Sequence, residues 1–154
     1  SPHPDVADKE IFSDKMLAYS FILTHPGYPC IFWRDYYDYN LAQTGNNSGI
    51  DALILIHEQY AGGESDILYV DDDLYLLQRR GHNNQKGLIY VLNKIEGNWN
   101  GKRIQTQWQN TKFKPLAWRG TNDLTIPQTI FTDDNSYGDF WAPPRGYAIY
   151  VTEV

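Results

Sequence analysis

The sequence predicts an α/β segment followed by an all-β domain, with the change of texture near residue 64. Three observations predict it. Residues 8–24 carry apolar side chains at intervals of three to four, the run "YPCIFW" at 28–33 is apolar at every position, and from residue 65 short β-prone runs alternate with turn clusters.

In the first stretch Phe12, Met16, Tyr19 and Leu23 recur beside Ile11, Leu17 and Ile22, which is the period of a helix with a broad apolar face. "HPG" at 25–27 stops it, because Pro26 cannot continue the ladder and Gly27 tolerates the turn. The unbroken apolar run at 28–33 predicts a strand covered on both faces, as in a parallel sheet between helices, with Cys30 a small buried core residue. A polar loop rich in Asn and Gly, 40–49, leads to a second helix. Ser48 and Asp51 have the spacing of a capping box at its start, Ile50, Leu53, Ile54 and His57 share one side of it, and Gly62 and Gly63 end it. Helix, strand, helix is the repeat of an α/β barrel or a doubly wound sheet. A single parallel strand has no sheet of its own, and its backbone groups require neighbours. Residues 1–63 therefore read as the end of a larger domain, and 64–154 as a domain that folds by itself.

Eight runs make up that second part: "DILYV", "LYLLQRR", "GLIYVLNK", "RIQTQW", "PLAWRG", "QTIFT", "DFWAP" and "GYAIYVTEV". The loops "DDD" (71–73), "GHNNQKG" (81–87) and "EGNWNG" (96–101) supply hairpin chemistry between them. About ninety residues of this kind predict an antiparallel β-sandwich with Greek-key connections.

Composition narrows the function classes. A formal charge of −6 leaves no basic stripe for phosphates, which excludes nucleic acid and anionic membrane as expected partners. No apolar run approaches the roughly 20 residues that span a bilayer, and "SPHPDVADKE" has neither the basic nor the apolar region of a signal peptide. The single cysteine excludes an internal disulfide. Asp71, Asp72 and Asp73 point in alternating directions and read as a solvated hairpin turn rather than a calcium loop. His3, His25, His57 and His82 show no zinc-like spacing, so no metal site is expected in the chain. Trp99, Trp108, Trp118 and Trp141 fit a sandwich core or an exposed stacking surface, and the core is the commoner place for such residues. "NNS" at 46–48 is a glycosylation sequon on Asn46, relevant only in a secretory eukaryotic setting.

The order of elements carries a resemblance. "DKMLAYSFILTHPGYPCIFWRDYYDYNL" resembles the seventh helix and eighth strand of an α-amylase of glycoside hydrolase family 13, and "DDDLYLLQRRG", "GLIYVLNK" and "FWAPPRGYAIYVTEV" resemble strands of that family's C-terminal β-domain, domain C. The resemblance implies that 1–63 is the C-terminal end of a (β/α)8 TIM barrel (helix 7, strand 8, helix 8) and 64–154 is domain C. The family's nucleophile, general acid and Asn-His-Asp motifs are not present in the sequence. The chain is accordingly expected to be inactive alone, with the catalytic carboxylates in an upstream barrel portion of the same enzyme. That barrel portion and an α-glucan are the partners implied, calcium is implied for the complete enzyme, and secretion is the implied localisation.

Within that frame "WRDYYDY" follows the eighth strand, where barrel active sites lie. Trp33, Arg34, Asp35, Tyr36 and Tyr37 are the candidate substrate-binding residues, since aromatic faces stack on sugar C–H faces while Arg and Asp pair with hydroxyls. His3 is a further candidate near the barrel mouth, and some of the rings alternatively plug the barrel end. The predicted function is part of a retaining α-amylase cleaving internal α-1,4 bonds of starch or related glucans. The alternative is a non-catalytic carbohydrate-binding or structural β-domain.

Overall fold

The computed structural model describes residues 5–31, 35, 49–121 and 125–153, and of residues 5–13 the backbone alone. Two helices and eight strands are present among them: α1 (Asp5–Thr24), α2 (Ile50–Gln59), β1 (Ser65–Val70), β2 (Leu74–Arg79), β3 (Leu88–Asn93), β4 (Asn100–Gln105), β5 (Lys112–Arg119), β6 (Ile130–Phe131), β7 (Tyr137–Ala142) and β8 (Gly146–Thr152). Each of the eight predicted runs overlaps one of the eight strands, although β4 begins at Asn100, inside the loop expected at 96–101, and ends at Gln105; all strand pairs are antiparallel. Six form one sheet in the order β1-β2-β3-β8-β5-β6, and β4 pairs with β7 in a separate ribbon. "EGNWNG" therefore does not close a hairpin between paired neighbours. It carries the chain from β3 in the large sheet to β4 in the ribbon.

The large sheet is the middle of three layers, because side chains alternate across its plane. Along β3 and β8, Leu88, Tyr90, Tyr147, Ile149 and Val151 enter one core with Met16, Tyr19, Leu23, Ile50, Leu53 and Ile56 of the helices. Ile89, Val91, Ala148 and Tyr150 enter the other, with Phe113, Trp118, Phe140 and Ala142. Burial on both faces explains why these strands read as continuous apolar runs although they are antiparallel. Within β5 the register shifts between Pro115 and Ala117. A residue without an N–H is tolerated at such a bulge.

On α1 the buried residues Met16, Tyr19, Ser20, Leu23 and Thr24 form one stripe at helical spacing. The helix stops at "HPG" as predicted, with His25 N donating to the Phe21 carbonyl (3.1 Å) and Gly27 at φ +130°. At the start of α2 the N-cap is Gly49, which carries no side chain, and Ser48 of the expected capping box lies outside the described residues.

The predicted strand at 28–33 is also corrected. Residues 28–31 are irregular, Tyr28 and Cys30 are exposed, and 32–34 lie outside the described residues. The physical reason is the one that made the run conspicuous: a parallel strand needs parallel neighbours, and none exists among the described residues. Nor do the two halves pack independently, since helices and sheet share one core.

Candidate functional site

The segment predicted to follow the eighth barrel strand is represented by Asp35, which is 5% exposed. Its carboxylate faces α1, where it pairs with Lys15 and accepts a hydrogen bond from the Tyr19 hydroxyl at 2.5 Å. Lys15 and Tyr19 lie four residues apart and so on one side of the helix. This cluster fixes the residue centred between the candidate rings to the helix layer. Trp33, Arg34, Tyr36, Tyr37 and His3 lie outside the described residues, as does Asn46 of the sequon.

A second polar cluster joins the end of α1 to the sheet. Arg79, 5% exposed, donates through Nη1 to the Thr24 carbonyl (2.9 Å), and through Nε and Nη2 to the Gly63 carbonyl (3.2 and 2.9 Å). Gly63 sits at φ +79°, and a Cβ there would come within 2.2 Å of the Gly81 carbonyl oxygen, so only glycine can present this acceptor. Nearby, His25 stacks on Phe21 with ring centroids 3.6 Å apart. With its proton on Nδ1 it donates to the Phe21 carbonyl (2.6 Å), and Nε2 accepts from the Tyr75 hydroxyl (2.7 Å). Burial first, and then the Arg79 cation, lower its pKa from 6.5, while the Phe21 carbonyl opposes them.

The neutral imidazole is thus the folded form. Between the depressed folded pKa and the ordinary value the unfolded chain binds more protons, so this stability is complete above about pH 6.5 and is lost as pH falls through the folded pKa. Thermal midpoints from pH 7.5 to 5 are expected to fall in the parent chain and to fall less in His25→Gln. Parallel curves would show that His25 contributes nothing to acid sensitivity.

The acidic run behaves as a turn: Asp71 Oδ1 accepts the backbone N–H groups of Asp73 (2.7 Å) and Leu74 (2.8 Å), and its other oxygen accepts the Tyr69 hydroxyl (2.6 Å). No group of three or more His, Cys, Asp or Glu among the described residues could hold a metal ion. The tryptophans divide. Trp118 is buried in the inter-sheet core, and Trp108 is half-buried edge-on against Phe113. Trp99 and the exposed Trp141 instead line a groove of about 510 Å³ with residues 125–131, Asp139 and Tyr150. Sequence alone could not make that division, because β7 had to be placed at an open sandwich edge first.

Comparison with known proteins gives a consistent set of likenesses. Residues 88–151 match the family described as Alpha-amylase C-terminal. An α-amylase of Geobacillus stearothermophilus is 38% identical over 143 residues, covering 89% of this chain and 25% of that protein. The α-amylase type B isozyme of Hordeum vulgare is 34% identical over 73 residues, 45% of this chain and 44% of that sequence. The chain thus spans a quarter of the first relative and under half of the second. Among solved structures, the cyclomaltodextrin glucanotransferase CldA superposes with a TM-score of 0.63 at 19% identity, over 92% of this chain and 33% of that one. AmyP, solved in complex with maltose, gives 0.53 at 11% identity, over 92% and 35%. At those identities the likeness is one of fold.

Proposed function

From the premise that this chain carries an α-amylase C-terminal domain, we propose that 64–154 is domain C of a retaining α-amylase of glycoside hydrolase family 13 and 1–63 the last helix, strand and helix of its (β/α)8 barrel. The observation that carries this reading is the extent of the likeness. Identity of 38% runs over 89% of the chain, and hence through the helical layer as well as the sandwich. Residues 28–31, which have no strand partner among the described residues, support it, since neighbouring barrel strands would supply one.

In this reading the complete protein cleaves internal α-1,4 bonds of starch, with its acid and nucleophile outside this sequence. The chain's own contribution is a rim that orients glucan. Trp33, Arg34, Tyr36 and Tyr37 contact sugar with His3, and Asp35, held by Lys15 and Tyr19, ties the rim to α1. The described residues do not fit a calcium site, and no step is assigned to one. No described helix is long and apolar enough to cross a membrane. Secretion belongs to the same proposal.

The test is hydrolysis of maltoheptaose. The 154-residue chain is expected to release no reducing sugar, and the complete protein to release it with retained anomeric configuration. In the complete protein Tyr36→Ala or Tyr37→Ala should each lower kcat/KM by about tenfold, the scale of one lost ring stack, at unchanged thermal midpoint. An inactive complete protein overturns the enzyme reading. Unchanged kcat/KM in both variants overturns the rim.

A further inference from the structure

We propose that the groove between β6 and β7 is a carbohydrate-binding site of the β-domain, with the Trp141 indole as its stacking platform and an α-glucan chain as its ligand. The choice of glucan rests on the function proposed above. The site itself rests on geometry.

Along β7 the side chains alternate, so that Gly138, Phe140 and Ala142 face inward while Tyr137, Asp139 and Trp141 face out. Directly across the ribbon Trp141 is opposite Gly101. A Cβ on Gly101 would lie 2.6 Å from indole Cδ2 and 2.7 Å from Cγ, which means that the ring lies over the space that only glycine leaves empty. One side of the indole is therefore seated on backbone, and the residue remains 45% exposed. Its backbone is pinned from the large sheet, where the Tyr150 hydroxyl donates to the Trp141 carbonyl at 2.6 Å and the Tyr150 ring packs edge-on against Phe140. The platform is thus held before any ligand arrives, which limits the ordering cost of binding.

The opposite wall is the segment before β6 and β6 itself, where Ile126 and Phe131 are 62% and 67% exposed. Gln128, Thr129 and Asp139 supply hydrogen-bonding groups between these apolar surfaces. Apolar faces beside scattered polar groups match a pyranose, which has a C–H face and a rim of hydroxyls. The volume of about 510 Å³ falls in the range of small-ligand clefts, roughly 300–1,000 Å³. A strand of another protein fits poorly, because the adjacent sheet edge, β6, is two residues long and offers little backbone to pair. Among the described residues the groove's lining includes no Lys or Arg, and the chain's charge is −6, which disfavours phosphate-bearing ligands.

Titration of the 15N-labelled chain with maltoheptaose, followed through the five tryptophan indole N–H signals, tests the site. Saturable shifts are expected at Trp99 and Trp141, with Trp108 and Trp118 unmoved. Trp141→Ala should weaken binding by about tenfold or more and Trp141→Phe by less, at an unchanged Trp118 signal that reports an intact fold. Absence of shifts at millimolar maltoheptaose, or equal shifts at all indoles, would overturn the proposal. So would a dimer that Trp141→Ala dissolves, because the groove would then be covered by a second copy. Binding of cellohexaose in place of maltoheptaose overturns the ligand class and the α-glucan reading with it. Lost glucan binding with hydrolysis by the complete protein intact sinks this site alone.

Discussion

Deleting residues 1–63 leaves a β-domain that does not unfold cooperatively. The deletion strips the helices from Leu77, Leu88, Tyr90, Ala117, Tyr147, Ile149 and Val151, all at most 2% exposed in the intact chain. Returning seven such side chains to water costs on the order of 10 kcal/mol. Domains have only about 5–15 kcal/mol of net stability, so a loss of this size removes most or all of it. The Tyr90 hydroxyl, 2.9 Å from Ser20 Oγ, loses that partner as well. Circular dichroism of 64–154 is expected to show a broad, shallow melt with dye binding to exposed apolar surface. A sharp transition within a few degrees of the intact chain would show that the sandwich stands without its helical layer.

Arg79→Ala is the single substitution with the largest expected cost, about 2–4 kcal/mol and roughly 5–10 °C in thermal midpoint. Two carbonyls, the buried Thr24 at the end of α1 and the half-buried Gly63 ahead of β1, receive three hydrogen bonds from one guanidinium. The Thr24 carbonyl also lies at the negative end of the α1 dipole, where a cation is favoured. Alanine leaves both acceptors without this donor and a hollow where the fork lay. Lysine is expected to recover little, since one ammonium cannot span two acceptors as a planar fork does. Equal denaturant midpoints for the parent and Arg79→Lys would show that only charge is needed there.

The arginine was not legible in the sequence, and the reason is general. "LYLLQRR" announces a strand, but which of its two arginines turns inward depends on where Thr24 and Gly63 lie in space. Arg80 in fact turns out, to Asp66 and Glu64. The strands were legible because β-prone runs and turn residues are local signals, with β4 displaced by three residues from its run. The crossing at 96–101 was not, because a turn sequence specifies a change of direction rather than a partner. The helix at α1 could be read from its apolar stripe and its Pro-Gly stop. "YPCIFW" misled, since uniform apolarity reports the burial a segment calls for, whereas a strand also needs a paired neighbour, and 28–31 have none among the described residues. At the candidate site, "WRDYYDY" was conspicuous, yet nothing local foretold that Asp35 turns inward to Lys15 and Tyr19.

The strand order also constrains the timing of folding during synthesis. β8 lies between β3 and β5, both of which leave the ribosome before it, and it places side chains in both cores. Until β8 emerges, the β1-β2-β3 half and the β5-β6 half keep open edges and two incomplete apolar faces. The nascent chain therefore waits in a sticky, partly paired state in which edge-to-edge association competes with closure. Insertion of one seven-residue strand then seals both halves and both cores in a single event.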